Sequence, residues 1–443
     1  MSGIYIHIPF CKQACSYCDF YFVTRDRLIP EFVDALVREI HALPVDDGCP
    51  FPSDPVRTLY FGGGTPSRLS AKQLRRLMDA LHRKSDLSHL AECTIEVNPE
   101  DVTTEWLQAV REMGVTRLSM GIQTFQPELL AFMHRAHSAD QAHRALELVG
   151  SAGFHTYSVD LIYGCPDQTM DQLNDDLHQL LVYRPPHVSA YSLTIEPRTR
   201  LGRQADLGRL NPADDEHVSK QAAYIRQTLA SSGIDQYEIS NYAAPGHEAV
   251  HNSAYWCHEN YLGMGPAAHS FYWPPGRDQQ GLAFRWFHPP DIHAYLHMTE
   301  SGNFRTGSAI ISALEKLSHS PAVASSWTAH NTIPGSEPHP KGSPATAQTG
   351  VTPDYLRITP EGIAGEILTR STLANERLMT GLRTVQGIDP RELKSRYGYT
   401  PDPLQQSRIA ALREKGWMEP DDPLRLTARG FELADAITLD LLD

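Results

Sequence analysis

Over its first 200 residues the chain alternates two kinds of pattern. Short runs rich in β-branched and aromatic residues predict strands at Ile4–Ile8, Thr58–Phe61, Thr94–Val97, Arg117–Ile122, Thr156–Tyr163 and Val188–Thr194. Between them, apolar positions recur every three to four residues and predict helices, among them Pro30–Leu43, Ser70–Lys84, Thr103–Met113 and Ser138–Ala152. Ser70 and Thr103 stand where an N-cap belongs, because a short hydroxyl side chain can accept from an otherwise orphaned amide of the first turn. Six such β–α alternations imply an α/β fold with a parallel sheet, open or curled into a partial (β/α)6 TIM-like barrel.

Beyond Thr194 the pattern changes. Leu201–Asn211 reads as loop, Asp214–Ser231 as a helix, Ile234–Asn241 as a strand, and His251–Phe271, rich in Gly, His and aromatics, as an ordered loop. Ser318–Thr352 is dense in Ser, Pro, Thr, Ala and Gly and reads as a flexible insertion. Three short helices are then predicted (Leu373–Gly381, Asp389–Tyr397, Pro403–Lys415). A small β-wing (Trp417–Met418 with Leu424–Thr427) and a closing helix Ala428–Leu442 follow, a winged-helix-like order. The expected division is a core at 1–235, a C-terminal α+β extension at 236–317, the insertion at 318–352 and a small helical domain at 353–443.

Charge narrows what such a chain can bind. The net charge of −14 disfavours nucleic acid and anionic lipid, and the acidic ending (Asp435, Asp440, Asp443) gives the winged-helix-like unit a packing role rather than a DNA-binding one. No apolar run approaches the ~20 residues of a membrane span, and Met1–Phe10 carries neither basic leader nor signal core. A reducing cytoplasm is the expected compartment.

The chemistry is concentrated in cysteine. Four of the seven are scattered (Cys49, Cys93, Cys165, Cys257), whereas Cys11, Cys15 and Cys18 fall within eight residues, directly after the first strand. In a reducing compartment such a cluster suggests metal before disulfide. Three thiolates can hold three corners of a [4Fe–4S] cluster and leave one iron open to a further ligand. A structural zinc site would want a fourth Cys or His nearby, and no second CxxC or HxxxH follows at finger spacing; zinc, and incidental cysteines, remain the minor alternatives. Further polar residues stand at the carboxyl ends of successive strands: Gly62-Gly63-Gly64-Thr65, Glu96, Gln123 and Asp160, with Arg135 after the fourth. That face is where barrels of this kind place their sites, although each residue alone could serve in an ion pair closing the barrel.

The triplet Cys11-Lys-Gln-Ala-Cys15-Ser-Tyr-Cys18 resembles the signature of the radical S-adenosylmethionine (SAM) superfamily. The resemblance implies that the amine and carboxylate of SAM chelate the open iron and that reduction cleaves the sulfonium to a 5′-deoxyadenosyl radical. It assigns Cys11, Cys15 and Cys18 to the cluster. Tyr5, Tyr17, Gly63, Gly64, Thr65, Glu96, Gln123, Arg135 and Asp160 go to SAM, with Tyr17 near the adenine. The segments Tyr5-Ile-His-Ile-Pro-Phe-Cys11, Phe61-Gly-Gly-Gly-Thr-Pro66, Arg117–Gln123, Asp160–Gly164 and Ser189-Ala-Tyr-Ser192 are similar to the oxygen-independent coproporphyrinogen III oxidase group.

Two branches of that group differ in sequence. The oxidases carry a fourth cysteine and an N-terminal extension, and use positions matching Gln123, Arg135 and Asp160 for a second cofactor molecule. This chain has Phe20 at the fourth position and its first cysteine at residue 11. It also carries His251-Asn252-Ser-Ala-Tyr255-Trp256 and Asn375–Arg383, which resemble the heme chaperone branch. That resemblance implies heme binding and transfer to apo-hemoproteins such as respiratory enzymes. It also implies an electron donor such as flavodoxin or ferredoxin, and a cytoplasmic protein peripheral to the membrane when heme is delivered. His251 is then the candidate axial ligand, Asn252, Tyr255 and Trp256 the surrounding surface, Arg135 a partner for a propionate, and Cys165-Pro166 a second option for the iron. The competing reading is the oxidase itself.

Overall fold

The computed structural model describes residues 2–43, 55–273, 283–301, 355–357 and 364–442. Six parallel strands form its centre: β1 (Ser2–Ile8), β2 (Val56–Gly63), β3 (Glu92–Val97), β4 (Arg117–Gln123), β5 (Thr156–Tyr163) and β6 (His187–Ser192). The connecting helices are α1 (Ile29–Ala42), α2 (Ala71–Lys84), α3 (Thr104–Glu112), the short α4 (Pro127–Phe132), α5 (Ala139–Ser151) and α6 (Met170–Val182). Ser70 caps α2 reciprocally with Gln73, and Thr103 accepts from the Trp106 amide at 3.2 Å, as the sequence pattern predicts.

The sheet does not close on itself. Beyond β6 it continues antiparallel through β8 (Asn241–Ala243) to β7 (Asp235–Gln236). On the other side β1 pairs in parallel with β9 (Asn260–Met264). The sheet then runs antiparallel through β10 (His269–Tyr272), β11 (Ala283–Phe287) and β13 (Ala364–Leu368) to β12 (Tyr355–Arg357). This is a partial barrel extended at both edges.

Strand faces explain the division of labour. Outward-facing Ile4, Ile6, Ile8, Leu59, Phe61, Ile95, Leu118, Met120 and Val159 are buried under the helices, each worth roughly 1.5–3 kcal/mol in apolar burial. The inward face is polar, carrying Tyr5 and His7, Thr58 and Tyr60, Glu92 and Glu96, Arg117 and Ser119, Ser158 and Asp160, His187 and Ser189. An interior built this way cannot pack dry. Its groups must pair with one another or face a ligand.

Five readings need correction. Leu201–Asn211 is not all loop: α7 (Arg200–Asp206) starts at Thr199, whose hydroxyl accepts from the Gly202 amide. The helix α8 (Asp215–Ser231) follows as expected, but Ile234–Asn241 is split into the two short strands β7 and β8. His251–Phe271 is ordered structure rather than loop: α9 (Val250–Trp256), then β9 and β10. β9 is held by pairing with β1, a long-range contact that no local pattern displays. After α10 (Ile292–Glu300), the C-terminal unit has α11 (Arg370–Gly381), α12 (Pro390–Tyr397) and α13 (Pro403–Glu414), with bridges Met418–Leu426 and Ile388–Leu424 in place of a full wing. The predicted closing helix is broken at Glu432–Leu433 into α14 (Ala428–Phe431) and α15 (Ala434–Leu441). The reading of 318–352 lies outside the described residues.

The C-terminal helices share a second core with Phe271, Trp273 and Ala283. They also grip the end of α9: Arg377 donates to the Trp256 carbonyl, and Arg396 to those of Cys257 and His258. This unit packs on the sheet extension, in keeping with a packing role.

Candidate functional site

The loop that follows β1 is pinned on two sides. Its own ends are tied together by Cys11 N–H to the Val23 carbonyl (3.0 Å) and Val23 N–H to that of Pro9 (2.6 Å). Its middle is tied to the end of α4: Ser16 donates through N–H to Met133 and through Oγ to Phe132, and Gln13 donates to the His134 carbonyl. Between these anchors the thiols of Cys11, Cys15 and Cys18 face one cavity of about 610 Å3.

That cavity gathers residues from the ends of all six central strands. Tyr17, Gly63, Gly64, Thr65, Glu96, Gln123, Arg135 and Asp160 all line it. Gly63 has φ +111°, and a Cβ there would come within 2.6 Å of the His7 ring; a Cβ on Gly64 would lie 2.8 Å from the Pro9 carbonyl carbon. The glycines thus let the β2 turn lie directly against the cysteine loop. Tyr5 is the exception among the predicted residues. It lies one layer below the cavity, where its hydroxyl donates to His7 Nδ1 (3.2 Å) while His7 Nε2 donates to the Tyr21 carbonyl. Its role is to support the His7 ring beneath Gly63.

The electrostatics favour a zwitterionic, cationic ligand. Burial pushes the Glu96 carboxyl up to about 7, against hydrogen bonds from Tyr60 (2.8 Å) and the Gly63 amide (3.1 Å). Burial also raises Asp160, despite hydroxyl donors on Ser158 and Ser119. Both carboxyls gain from a nearby positive group. Arg135 supplies the opposite sign. Its guanidinium donates to Asn98 and the Gly121 carbonyl, each at 2.9 Å, and to Cys15 Sγ at 3.5 Å, while its buried Nε has no partner among the described residues.

These residues fit both groups that the sequence implies. An amine and a sulfonium suit Glu96 and Asp160, a carboxylate suits Arg135, and the glycine turn admits a ligand backbone. The Thr65 hydroxyl, 3.6 Å from Cys11 Sγ, favours thiolate over thiol at Cys11, and Arg135 donates to Cys15 Sγ. Without metal, burial holds Cys11 up at about 12 and Cys18 at about 11; cluster binding displaces those protons. Among the described residues no three His, Cys, Asp or Glu converge on a single ion. A cubane, by contrast, attaches each thiolate to a separate iron.

Asn98, Ser119 and Tyr191 are among the cavity residues given no role from sequence. The period-2 alternation could have found two of them, since Asn98 lies two residues after Glu96 and Ser119 pairs with Glu96 across the β3–β4 ladder.

The predicted heme residues are elsewhere. His251 sits at the amino-terminal floor of the barrel, 2% exposed, its ring against Gly3. Both ring nitrogens are engaged, Nδ1 with Thr58 Oγ1 and Nε2 with the Tyr255 hydroxyl, each at 2.8 Å. Glu92 accepts from the amides of Val250 and His251 and anchors α9 over the floor. Asn252, Tyr255 and Trp256 lie on the same short helix, and none lines the cluster cavity. Cys165 is buried in a small apolar cluster with Leu129, Met133 and Ile162, and burial pushes its thiol up to about 12.

Residues 5–180 match the model of the radical SAM superfamily, and residues 368–433 that of the HemN C-terminal domain. The heme chaperone HemW of Lactococcus lactis is 37% identical over 296 residues, spanning 67% of this chain and 74% of the relative. The heme chaperone HemW of Escherichia coli is 35% identical over 278 residues, spanning 62% and 71%. Among solved structures, the coproporphyrinogen III oxidase (HemN) of Escherichia coli superposes with a TM-score of 0.72 at 19% identity, covering 100% of this chain and 90% of that one, which establishes the shared fold. A radical SAM core, a matching C-terminal domain and identity above one third to proteins of one kind place this chain in the HemW heme chaperone family, whose radical SAM scaffold carries a [4Fe–4S] cluster and SAM.

Proposed function

We propose that this protein binds heme and transfers it to apo-hemoproteins, respiratory enzymes among them. The observation that carries this reading over the oxidase is Phe20. It stands where the oxidase pattern has a fourth cysteine, and it is 74% exposed at the rim of the cluster loop. Cys11, Cys15 and Cys18 hold the cluster; Gly63, Gly64, Thr65, Glu96, Gln123, Arg135 and Asp160 hold SAM, with Tyr17 against its adenine. When bound, the pair supplies one-electron chemistry at the sulfonium. Within it, this chain's residues orient the ligand, balance its charges and limit water. An electron donor such as flavodoxin or ferredoxin reduces the cluster. The protein works in the cytoplasm and meets the membrane surface only at delivery; among the described residues no helix is long and apolar enough to cross a membrane.

The test is an anaerobic comparison on cluster-loaded protein. One arm supplies SAM, reductant and coproporphyrinogen III and separates the porphyrins by chromatography. The other supplies hemin and follows its passage to an apo-hemoprotein by the recipient's Soret band. Transfer without decarboxylation is the expected result; protoporphyrinogen formation would make this an oxidase.

A further inference from the structure

Behind the cluster loop lies a second hollow of about 500 Å3, open to solvent, between residues 14–22 and α7. Cys15 and Cys18 line both this groove and the cofactor cavity, so the cysteine loop is the wall between them. The groove combines three chemistries. Phe20 and Leu207 are exposed at 74% and 64%, an apolar surface that a monomer gains nothing by showing to water, and Phe22 adjoins them. Arg198, Arg200 and Arg203 supply positive charge in an acidic protein. Arg198 is paired with Asp19 at 2.8 Å, but the guanidinium groups of Arg200 and Arg203 carry no hydrogen bond or ion pair among the described residues.

The third is His134, which lines the groove in a left-handed backbone conformation with φ 57°. Its Nδ1 lies 2.9 Å from the Ala14 carbonyl oxygen. A carbonyl only accepts, so in the neutral ring Nδ1 carries the proton and Nε2 keeps its lone pair. Nε2 has no partner among the described residues. A backbone carbonyl fixing one ring nitrogen so that the other can bind metal is the usual arrangement of a ligating histidine.

We infer that this groove is the heme site, with the macrocycle on Phe20 and Leu207, the propionates on Arg200 and Arg203, and His134 Nε2 as axial ligand. A flat apolar ring carrying two carboxylates and an iron asks for this set. The volume is that of an ordinary ligand pocket, and its open side suits a cargo that must leave. The inference rests on the heme-binding reading of the preceding section.

The experiment titrates hemin into full-length, cluster-loaded protein, with iron and sulfide content checked for each variant. In His134→Ala the Soret band and the electron paramagnetic signal of the bound hemin change, and added imidazole restores them. In R200E/R203E, two exposed side chains with no hydrogen bond or ion pair among the described residues, hemin affinity falls about tenfold or more with the Soret position unchanged. If the original protein binds hemin and both variants match it in affinity and spectrum, the groove is not the site, while heme binding stands. If the original protein binds no hemin, the functional reading and the site fall together.

Discussion

The two ends of the barrel interior are built from the same residue types and reach opposite outcomes. At the floor, Glu92, Thr58, His251 and Tyr255 satisfy one another across β2, β3 and α9, and the buried Arg117 Nε, without a hydrogen bond among the described residues, lies 3.8 Å from the Glu92 carboxylate. At the top, Glu96, Asp160 and Arg135 face a cavity, with carboxyls raised by burial and one buried nitrogen unpartnered. A histidine in a recognisable motif is therefore less informative than its unsatisfied atoms. His251 has none, and His134, outside any motif, has one.

Breaking the top is expected to have the largest effect. Cys15→Ala removes one of three corners and abolishes iron content and the brown absorption; full retention of iron would overturn the cluster assignment. Breaking the floor comes next. Glu92 is buried, anchors α9 by two amides and lies 3.8 Å from the equally buried Arg117. Glu92→Ala leaves that charge alone, at about 3–5 kcal/mol by denaturant unfolding. His251→Ala strands Thr58 and the Tyr255 hydroxyl and costs about 1–3 kcal/mol, with hemin spectrum and iron content unchanged. An altered heme spectrum in this variant would return His251 to the ligand set.

Proton linkage sharpens the contrast with smaller effects. Burial lowers His251 to about 3 and His7 to about 4, so the unfolded chain binds more protons in that range. Their contribution to stability is complete above about 6.5 and is lost as pH falls toward 3 to 4. Glu96 runs the other way. Its carboxyl is held up at about 7, so its contribution is complete below the ordinary glutamate range and is lost as pH rises through 7. A cationic ligand reverses that loss by favouring the carboxylate. SAM binding should therefore release protons near pH 7 and tighten between pH 6 and 8, and calorimetry in two buffers of different ionisation enthalpy measures the release. Glu96→Gln should abolish it.

Legibility followed locality. β5 spans Thr156–Tyr163, as its alternation predicts, and the other five central strands and their helices lie within a few residues of their patterns. The cysteine triplet and seven further residues that the structure gathers at the cavity were noticed in the sequence because nearly all sit at or just after the end of such a strand. What escaped was made by distance. α9 has seven residues and no side-chain cap, and it is held by Glu92 from 158 residues upstream. The groove at Phe20 joins a loop at residue 14 to a helix at residue 200, and no window of sequence shows both.

The pairing of β1 with β9 has a consequence for synthesis. All three cysteines of the loop and every cavity residue have been made once residue 196 is complete, yet one edge of β1 still lacks its partner, and the floor helix has not been made. An unpaired edge is a template for wrong partners. Chains emerge from their amino terminus at about 5–20 residues per second, so the interval from Glu196 to Met264 lasts seconds. The strand that carries the cysteine loop precedes the other five central strands and gains its second partner only after all of them, which ties secure loading of iron to a chain grown past β9 rather than to the six-stranded core alone.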